Sequence, residues 1–447
     1  MTLKTSISGV RGIIGDSLSP QVLVNYTSAF SSILKKGDIL IGMDSRPSGS
    51  MINHLIHGVL NASGRNVVDL GIIPTPVVLF GVANGDFAGG IVITASHNPA
   101  EWNALKFVNS KGKFLSPDEY KKLMEVYEKN HYEYCGYKKI GQNYKNENIP
   151  DAHIEKIIKF IRLDLIKSSN FKVAVDTVNG AGGPHVIKFL KNLGCEIFSI
   201  NCEPTGEFSH PPEPTPVNLV EFSKFVKKKK VDIGFAIDPD GDRLVVADES
   251  GNILLEELTL ALCVKHFLKN YNKSNIVINT STSRIIEDIA EDFNCKVYRV
   301  PTGEINVTEK IEEINAGIGG EGNGGVILPE LNKCRDSFVG IALILEMLSI
   351  EKIPVSKIVK EFPEYVFLKE KMPYYNNSDI SKNKINKIKL IFSGQNIDIQ
   401  DGIRVDFKDK WVLLRKSNTE PIIRIFAEAK NNNDARALIN KIKEIIL

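Results

Sequence analysis

The sequence predicts an α/β protein with three similar α/β domains followed by a smaller C-terminal α+β domain. Three observations support this prediction. The chain has 447 residues, and at about 150 residues per domain this length suggests about three domains. One pattern of strand, polar loop, helix and strand occurs three times before residue 301. After Pro363 the pattern changes to alternating strands typical of an antiparallel sheet.

Each copy of the repeat begins with a short strand rich in Val and Ile, which is typical of mainly parallel sheets covered on both faces. The opening strands are predicted at residues 39–44, 172–176 and 275–279, the helices at 51–62, 186–193 and 285–293, and the closing strands at 66–70, 196–200 and 296–300. A further buried strand follows each copy and leads to Ser96, Asp238 or Glu321. Because ligands gather beyond the carboxyl ends of such strands, these loops are expected to carry the functional groups.

Domain boundaries are predicted from polar stretches and from the change of pattern. The predicted domains are residues 1–145, 146–253, 254–365 and 366–447. In the last domain, strands are predicted at 402–407, 411–414 and 422–429, a helix at 434–446, and a mobile surface segment rich in Asn, Lys and Ser at 376–389.

Composition excludes several classes of function. Lys and Arg number 56 against 54 Asp and Glu, so the net charge of +2 gives no reason to expect a nucleic-acid or membrane partner. No apolar run approaches the roughly 18 residues of a membrane span. Six cysteines without a Cys-x-x-Cys pair predict reduced thiols. A cytoplasmic protein is expected, either a monomer or a homodimer.

The first functional loop is Thr94-Ala-Ser96-His97-Asn98-Pro99. Ser96 is a candidate nucleophile, although a serine needs activation or prior phosphorylation to take part in group transfer. Adjacent side chains on an extended backbone point to opposite faces, so His97 is not an obvious base for Ser96. The alternative is a plain turn, and the strand-end position together with the other loops favours a nucleophile.

The second loop, Asp238-Pro-Asp240-Gly-Asp242, has three carboxylates at alternate positions. Oxygen ligands in this pattern suit a hard divalent cation, and Mg²⁺ is preferred because it commonly shares phosphate oxygens. A helix–loop–helix calcium site is the rival, with Glu249 at its twelfth position. That site needs glycine where this chain has Arg243, and its flanks should be helices rather than strands. A simple acidic turn is a further alternative, but its buried charge would be costly without a cation.

The third loop contains Gly317-Ile-Gly319-Gly-Glu321-Gly322, which matches the glycine spacing of dinucleotide-binding loops. No helix is predicted to follow, so nicotinamide binding is not expected. Instead, the glycines would let the backbone approach a ligand closely, while Glu321 and Asn323 contact hydroxyl groups.

The fourth loop offers hydroxyl, amide and cationic groups suited to a phosphate dianion. Its candidate ligands are Arg415, Ser417, Asn418, Thr419 and, just beyond, Arg424. The alternative is an ordinary polar hairpin loop.

In this order, the four loops together with Ser8-Gly9-Val10-Arg11-Gly12 resemble the α-D-phosphohexomutase superfamily, which includes phosphoglucomutases, phosphomannomutases and phosphoglucosamine mutases. The resemblance covers essentially the whole chain. It implies three similar mixed-sheet α/β domains and a smaller α+β domain around a central cleft. It also implies interconversion of hexose 6-phosphate and hexose 1-phosphate through a hexose 1,6-bisphosphate.

The resemblance implies a role for each candidate residue. Ser96 would be the phosphoserine, and its phosphate would join Asp238, Asp240 and Asp242 in holding one Mg²⁺. The remaining candidate catalytic residues are Arg11 and Arg243 for charge neutralisation, Lys106 as the acid/base, and His97. Glu321 would bind sugar hydroxyls, and Ser417, Asn418, Thr419 and Arg424 would hold the phosphate that does not react.

The sugar loop of this chain, Glu321-Gly-Asn-Gly-Gly325, lacks the serine and histidine of Glu-Gln-Ser-Gly-His and Glu-Met-Ser-Gly-His. The sequence of this loop is similar to that found in mutases assigned either to glucosamine or to mannose and glucose. Conversion of glucosamine 6-phosphate to glucosamine 1-phosphate is expected, with a mannose or glucose phosphate as the alternative. Two rivals of other classes are a metal-dependent sugar phosphatase and a catalytically silent sugar-phosphate binding protein.

Overall fold

Four β-sheets follow one another along the part of the chain that the structure, a computed structural model, describes: residues 3–373, 382–416 and 422–446. The first three sheets mix parallel and antiparallel strands and carry helices, whereas the fourth is antiparallel. This arrangement confirms the predicted fold class of three α/β domains and a smaller α+β domain.

The first domain is built on a seven-stranded sheet in the order β1-β2-β6-β5-β3-β4-β7. Its strands are β1 (Lys4–Ser6), β2 (Gly9–Ile13), β3 (Asp38–Met43), β4 (Val67–Ile72), β5 (Phe87–Ile93), β6 (Trp102–Asn109) and β7 (Asn143–Lys145), and its helices are α1 (Pro20–Ile33), α2 (Gly49–Ala62), α3 (Thr75–Asn84) and α4 (Pro117–Lys129). Helix α4 begins with a capping box, in which the Ser116 side chain accepts a hydrogen bond from the Glu119 amide and the Glu119 side chain accepts one from the Ser116 amide. Pro117 occupies the first helical position, which suits its fixed φ angle.

The second and third domains each contain a four-stranded sheet, in the orders β11-β10-β8-β9 and β13-β12-β14-β15. The second comprises α5 (Asn148–Phe160), α6 (Leu163–Ser169), β8 (Lys172–Asp176), α7 (Gly183–Asn192), β9 (Glu196–Ile200), α8 (Val220–Lys229), β10 (Ile233–Ile237) and β11 (Leu244–Ala247). The third comprises α9 (Glu256–Asn270), β12 (Ile276–Asn279), α10 (Ile285–Asp292), β13 (Val297–Val300), α11 (Glu304–Ile314), β14 (Ile318–Glu321), β15 (Gly325–Ile327), α12 (Ser337–Glu351) and α13 (Val355–Val359).

The fourth domain has the strand order β16-β20-β19-β18-β17. Its elements are β16 (Val366–Pro373), α14 (Lys382–Ile391), β17 (Asn396–Asp398), β18 (Ile403–Asp406), β19 (Trp411–Lys416), β20 (Ile422–Ala429) and α15 (Asn432–Ile446). Of the segment at 376–389 that is expected to be mobile, residues 382–389 belong to helix α14, whose buried Ile388 packs against the domain core. Residues 376–381 lie outside the described residues, and the expected mobility stays a prediction.

The three α/β domains share one feature that positions the functional loops. In each, a strand that pairs in parallel with its neighbour is followed by an antiparallel partner: β5 by β6, β10 by β11, and β14 by β15. The connections between these pairs carry Ser96, the Asp238–Asp242 loop and the Glu321–Asn323 loop. All three loops therefore lie at the same point of equivalent sheets.

Helix α12 joins the second and third domains through a shared core. It is apolar on all sides and buried from Ser337 to Ser349, as expected for a helix surrounded by protein. Its side chains pack in one cluster with Phe189 of α7 and Phe267 of α9. No helix in the described ranges is long and apolar enough to cross a membrane.

Candidate active site

Ser96 lies three residues beyond the end of β5, at the boundary between the first two domains. Its φ angle is 52°, a left-handed conformation that is uncommon for residues other than glycine and that recurs at functional sites. The side chain is buried, and its Oγ lies 3.1 Å from Oδ2 of Asp238. The strand-end serine and the acidic loop therefore meet in space.

A buried ion pair between Arg46 and Asp44 holds the backbone of the Ser96 loop in place. Arg46 pairs with Asp44 and donates hydrogen bonds to the carbonyl oxygens of Ser96, at 2.8 Å, and Asn98. Thr94 Oγ1 donates to Asp44 at 2.5 Å and accepts from the Ser96 amide at 2.9 Å. Sequence reasoning missed Arg46, although its position in the polar loop after the first repeated strand was a usable signal.

The expectation that His97 would point away from Ser96 is wrong. The left-handed backbone at Ser96 replaces the extended conformation on which that expectation depended, and His97 Nδ1 lies 3.3 Å from Ser96 Oγ. Burial, reinforced by the charges of Arg243 and Arg11, holds the pKa of His97 well below its usual value. A neutral imidazole therefore lies beside the serine hydroxyl.

Asp238, Asp240 and Asp242 form a fully buried carboxylate cluster. One oxygen from each lies within 4.8 Å of the others. Burial and the charges of the other two aspartates raise the pKa of Asp238. Oδ1 of Asp240 and Oδ1 of Asp242 are buried without a hydrogen-bond partner among the described residues. Concentrated buried charge with unused oxygens fits a divalent cation.

Lys106 lies on β6, opposite Val92 of the serine-bearing strand β5. Its Nζ is 2.7 Å from Oδ2 of Asp240, which also accepts a hydrogen bond of 2.8 Å from Thr75 Oγ1. Burial alone would raise the pKa of Asp240, but Lys106 and these hydrogen bonds hold it below its usual value. Lys106 thus compensates part of the acidic charge, and its acid/base role stays a prediction.

Two further arginines lie beside the serine and the acidic cluster. Arg11, on β2, donates a hydrogen bond of 2.6 Å to Asn98 Oδ1, and burial lowers its pKa to about 10, so it stays charged at neutral pH. Arg243 donates to Glu213 at 3.3 Å, and its Nε is 3.9 Å from Oδ1 of Asp242. Both arginines therefore lie beside Ser96 and the acidic cluster, and their charge-neutralising role stays a prediction.

Glu321 ends β14 and is held by four donors. Oε1 accepts from Asn279 Nδ2 at 2.8 Å and from the Gly303 amide at 3.0 Å. Oε2 accepts from Arg335 Nη1 at 2.6 Å and from Asn323 Nδ2 at 3.3 Å. Burial would raise the pKa of Glu321, but Arg335 and these donors keep it below its usual value. The carboxylate is therefore fixed in orientation and ionised.

The glycines around Glu321 make room for neighbouring protein atoms. A Cβ atom at Gly322 would lie 2.0 Å from Oε2 of Glu257, and one at Gly324 would lie 2.2 Å from the carbonyl oxygen of Leu244. No helix follows, since β15 continues the chain as an antiparallel strand. The loop thus lacks the helix of a dinucleotide-binding motif, as expected.

Arg335 connects the acidic loop to the sugar loop. Besides its bond to Glu321, the guanidinium donates to Oδ2 of Asp242 at 2.6 Å and to Oε2 of Glu304 at 2.9 Å. Burial alone would lower the pKa of Arg335, but these carboxylates hold it well above its usual value. Burial, opposed by Arg335, raises the pKa of Glu304 to about 7. Sequence reasoning missed both Arg335 and Glu304, since neither belongs to a recognisable local pattern.

The fourth loop is only partly described. Ser417, Asn418 and Thr419 lie outside the described residues, so their predicted contacts with phosphate stay untested. Arg415 and Arg424 are direct partners on β19 and β20. Arg415 Nε lies 3.4 Å from Oδ2 of Asp401, which also accepts from the Thr302 amide of the third domain at 2.9 Å. The two arginines therefore lie opposite each other, close to the third domain.

Comparison with known proteins matches each of the four domains to one family. Residues 3–134, 151–251 and 256–365 match the phosphoglucomutase/phosphomannomutase alpha/beta/alpha domains I, II and III. Residues 368–445 match the C-terminal domain of the same family.

Individual relatives match over nearly the full length. The chain is 35% identical to a phosphoglucomutase/phosphomannomutase of Thermococcus kodakarensis, covering 96% of this chain and 95% of the relative. It is 33% identical to a probable phosphoglucosamine mutase of Pyrococcus abyssi, covering 98% and 96%. A crystal structure of a phosphoglucomutase/phosphomannomutase family protein from Burkholderia thailandensis superposes with a TM-score of 0.87 at 26% identity, covering 99% and 96%. The chain belongs to the phosphoglucomutase/phosphomannomutase family, the α-D-phosphohexomutases.

Proposed function

We propose that this phosphohexomutase interconverts hexose 6-phosphate and hexose 1-phosphate by transferring a phosphoryl group to and from Ser96. The observation that carries the proposal is the 3.1 Å contact between Ser96 Oγ and Asp238. It brings a buried hydroxyl to the edge of a carboxylate cluster that fits a cation, and phosphoryl transfer depends mainly on such alignment and charge stabilisation.

The reaction starts from Ser96 carrying a phosphate. A free sugar hydroxyl attacks the phosphorus and loses its proton, while the bond between phosphorus and Ser96 Oγ breaks and Oγ takes up a proton. The product is a hexose 1,6-bisphosphate. After the sugar has turned over, Ser96 Oγ attacks the phosphorus of the other phosphate and loses its proton. The bond between that phosphorus and the sugar oxygen breaks, the sugar oxygen takes up a proton, and the phosphoenzyme is restored. Lys106 is the proposed acid/base, and the neutral His97 lies within hydrogen-bond reach of Ser96 Oγ, where it would orient the hydroxyl.

Asp238, Asp240 and Asp242 would hold one Mg²⁺, with an oxygen of the Ser96 phosphate as a further ligand. The unpartnered Oδ1 atoms of Asp240 and Asp242 support this assignment, since buried carboxylate oxygens are rarely left unpaired. When bound, the ion would stabilise negative charge on the transferring phosphoryl group. Lys106 would keep Asp240 ionised and oriented.

The remaining candidates would bind the rest of the substrate. Arg11 and Arg243 would neutralise charge near the transferred group, and Arg415, Arg424 and the undescribed residues 417–419 would hold the other phosphate. Glu321 already accepts four hydrogen bonds, which is about the capacity of a carboxylate. A sugar hydroxyl must therefore displace one donor, and the 3.3 Å bond from Asn323 is the longest of the four.

For the sugar we propose glucosamine, with mannose and glucose as the alternatives. The relatives named above carry both kinds of name, so family membership alone does not choose between them. The choice rests on the form of the sugar loop and on the acidic surroundings of Glu321.

A panel of hexose 6-phosphates tests the proposal. Glucosamine, glucose, mannose and N-acetylglucosamine 6-phosphates are each started with the matching 1,6-bisphosphate, and both 1-phosphate and free phosphate are measured. We expect formation of the 1-phosphate with little release of phosphate. Stoichiometric release of phosphate without isomerisation would indicate a sugar phosphatase instead, and no turnover of any sugar would indicate a binding protein.

A further inference from the structure

Glu304 is an acidic residue of the sugar region to which the mechanism above gives no task. It begins α11, directly after Gly303, whose amide holds Glu321. Only 8% of its surface is exposed. It shares the guanidinium of Arg335 with Glu321, so the two carboxylates lie on either side of one arginine.

Glu304 and Glu321 share one ion-pair partner, Arg335. Arg243 and Lys106 also stabilise negative charge here, but among the described residues neither forms an ion pair with these two carboxylates. The nearest lysine in the acidic cluster, Lys106, is already paired with Asp240 at 2.7 Å. An ionised Glu304 is therefore only partly compensated, which agrees with its raised pKa, and a further cation beside it would stabilise the ionised form.

The hydrogen bonds of Glu304 show where that cation would bind. Among the described residues, hydrogen bonds to the Glu304 carboxylate reach only Oε2, through Arg335 Nε at 2.9 Å. Oε1 has no such bond, and it is not one of the fully buried unpaired atoms. An acceptor is thus left open on the Glu304 carboxyl, which shares Arg335 with Glu321.

We propose that Glu304 is a specificity-determining residue that selects amino-hexose phosphates by pairing its open oxygen with the ammonium group of the sugar. This inference rests on the proposed function and deepens it by naming the residue that selects the amino sugar. A neutral hydroxyl at the same place could only hydrogen-bond with the Glu304 carboxyl, whereas an ammonium group would also stabilise its ionised form and donate a charge-assisted hydrogen bond.

The test compares glucosamine 6-phosphate with glucose 6-phosphate, which differ only at the carbon that carries the amino group. The variant is Glu304→Gln, which keeps the shape of the side chain and an oxygen for Arg335 but removes the charge. Glu313→Gln is the matched control, because Glu313 lies on the same helix α11, is exposed and pairs only with Lys310 at the surface.

We expect Glu304→Gln to lower kcat/KM for glucosamine 6-phosphate at least about tenfold more than for glucose 6-phosphate, a difference of about 1.4 kcal/mol. Retained glucose turnover shows that the variant is folded. Equal losses on both sugars, or no loss on either, would overturn the selective role of Glu304 while leaving the mutase function intact. Failure of the wild-type protein to isomerise any hexose phosphate would instead overturn the proposed function, and this inference with it.

Discussion

Ser96 Oγ and Asp238 Oδ2 lie 3.1 Å apart although 142 residues separate them in the sequence. Each belongs to the connection between a parallel strand and its antiparallel partner, Ser96 after β5 in the first domain and Asp238 after β10 in the second. The candidate nucleophile and the candidate metal ligands are therefore supplied by different domains, and the site exists only while the two domains stay docked.

We predict that Mg²⁺ stabilises the folded protein through the aspartate cluster. An ion present at about 100 times its dissociation constant adds about 2.7 kcal/mol to the free energy of unfolding. Asp240→Asn should abolish most of the rise in melting temperature that MgCl₂ causes, because it replaces a buried anionic ligand. Thermal unfolding with MgCl₂ and with EDTA measures the effect.

The exposed Asp164 provides the control for this experiment. Asp164→Asn should keep the full magnesium-dependent shift. An equal shift in Asp240→Asn and the wild-type protein would show that the ion binds elsewhere.

A second prediction concerns the ion pair between Arg46 and Asp44 that holds the Ser96 loop. Arg46→Ala removes the partner of the buried Asp44 and the donor to the Ser96 carbonyl. Leaving a buried charge unpaired costs about 3–5 kcal/mol. We expect a loss of this size in the free energy of unfolding, measured by urea denaturation.

The matched change at the surface is Lys188→Ala, which breaks a half-exposed pair with Asp151. Exposed pairs contribute about 0–1 kcal/mol, so the control should stay close to the wild-type protein. If both variants lost the same small amount, the proposed bracing role of Arg46 would be wrong.

The third prediction is a dependence of stability on pH through His185. Its ring is buried against Phe338, with Nε2 unpaired within the described ranges, and burial lowers its pKa from 6.5 to about 4. Between these values the unfolded chain binds a proton that the folded protein excludes, so stability falls as pH falls from about 6.5 to 4. A shift of this size corresponds to about 3 kcal/mol.

His185→Gln should remove this component, so that the variant loses less stability than the wild-type protein between pH 7 and pH 4.5 in urea denaturation. His54→Gln, at an exposed position on α2, is the control and should follow the wild-type curve. Parallel curves for His185→Gln and the wild-type protein would contradict the assignment.

Local patterns were sufficient to predict the architecture. Runs of Val and Ile marked the repeated strands, and the loops after the following strands identified Ser96, the aspartates and Glu321. The first residue of a helix was predicted less accurately than the strands: α7 begins at Gly183, whereas the predicted helix begins at residue 186. The Gly-Gly-Pro sequence at that point suggested a loop, whereas proline is well suited to a first helical turn.

Contacts between distant segments could not be predicted. Arg335 bonds Asp242 across 93 residues, and Arg46 bonds the Ser96 carbonyl across 50. No spacing rule connects such pairs, because the tertiary fold alone brings them together. The orientation of His97 was missed for a different reason, since a left-handed φ at a serine is too uncommon to assume from sequence.

Transfer of phosphate from a sugar to Ser96 is the most direct test of the central claim. The wild-type protein and Ser96→Ala are incubated with MgCl₂ and glucose 1,6-bisphosphate labelled with ³²P on both phosphates, and labelled peptides are mapped by mass spectrometry. The account predicts one covalent label on the peptide containing Ser96, none in Ser96→Ala, and loss of mutase activity in that variant. A label on another residue, or full mutase activity in Ser96→Ala, would contradict it.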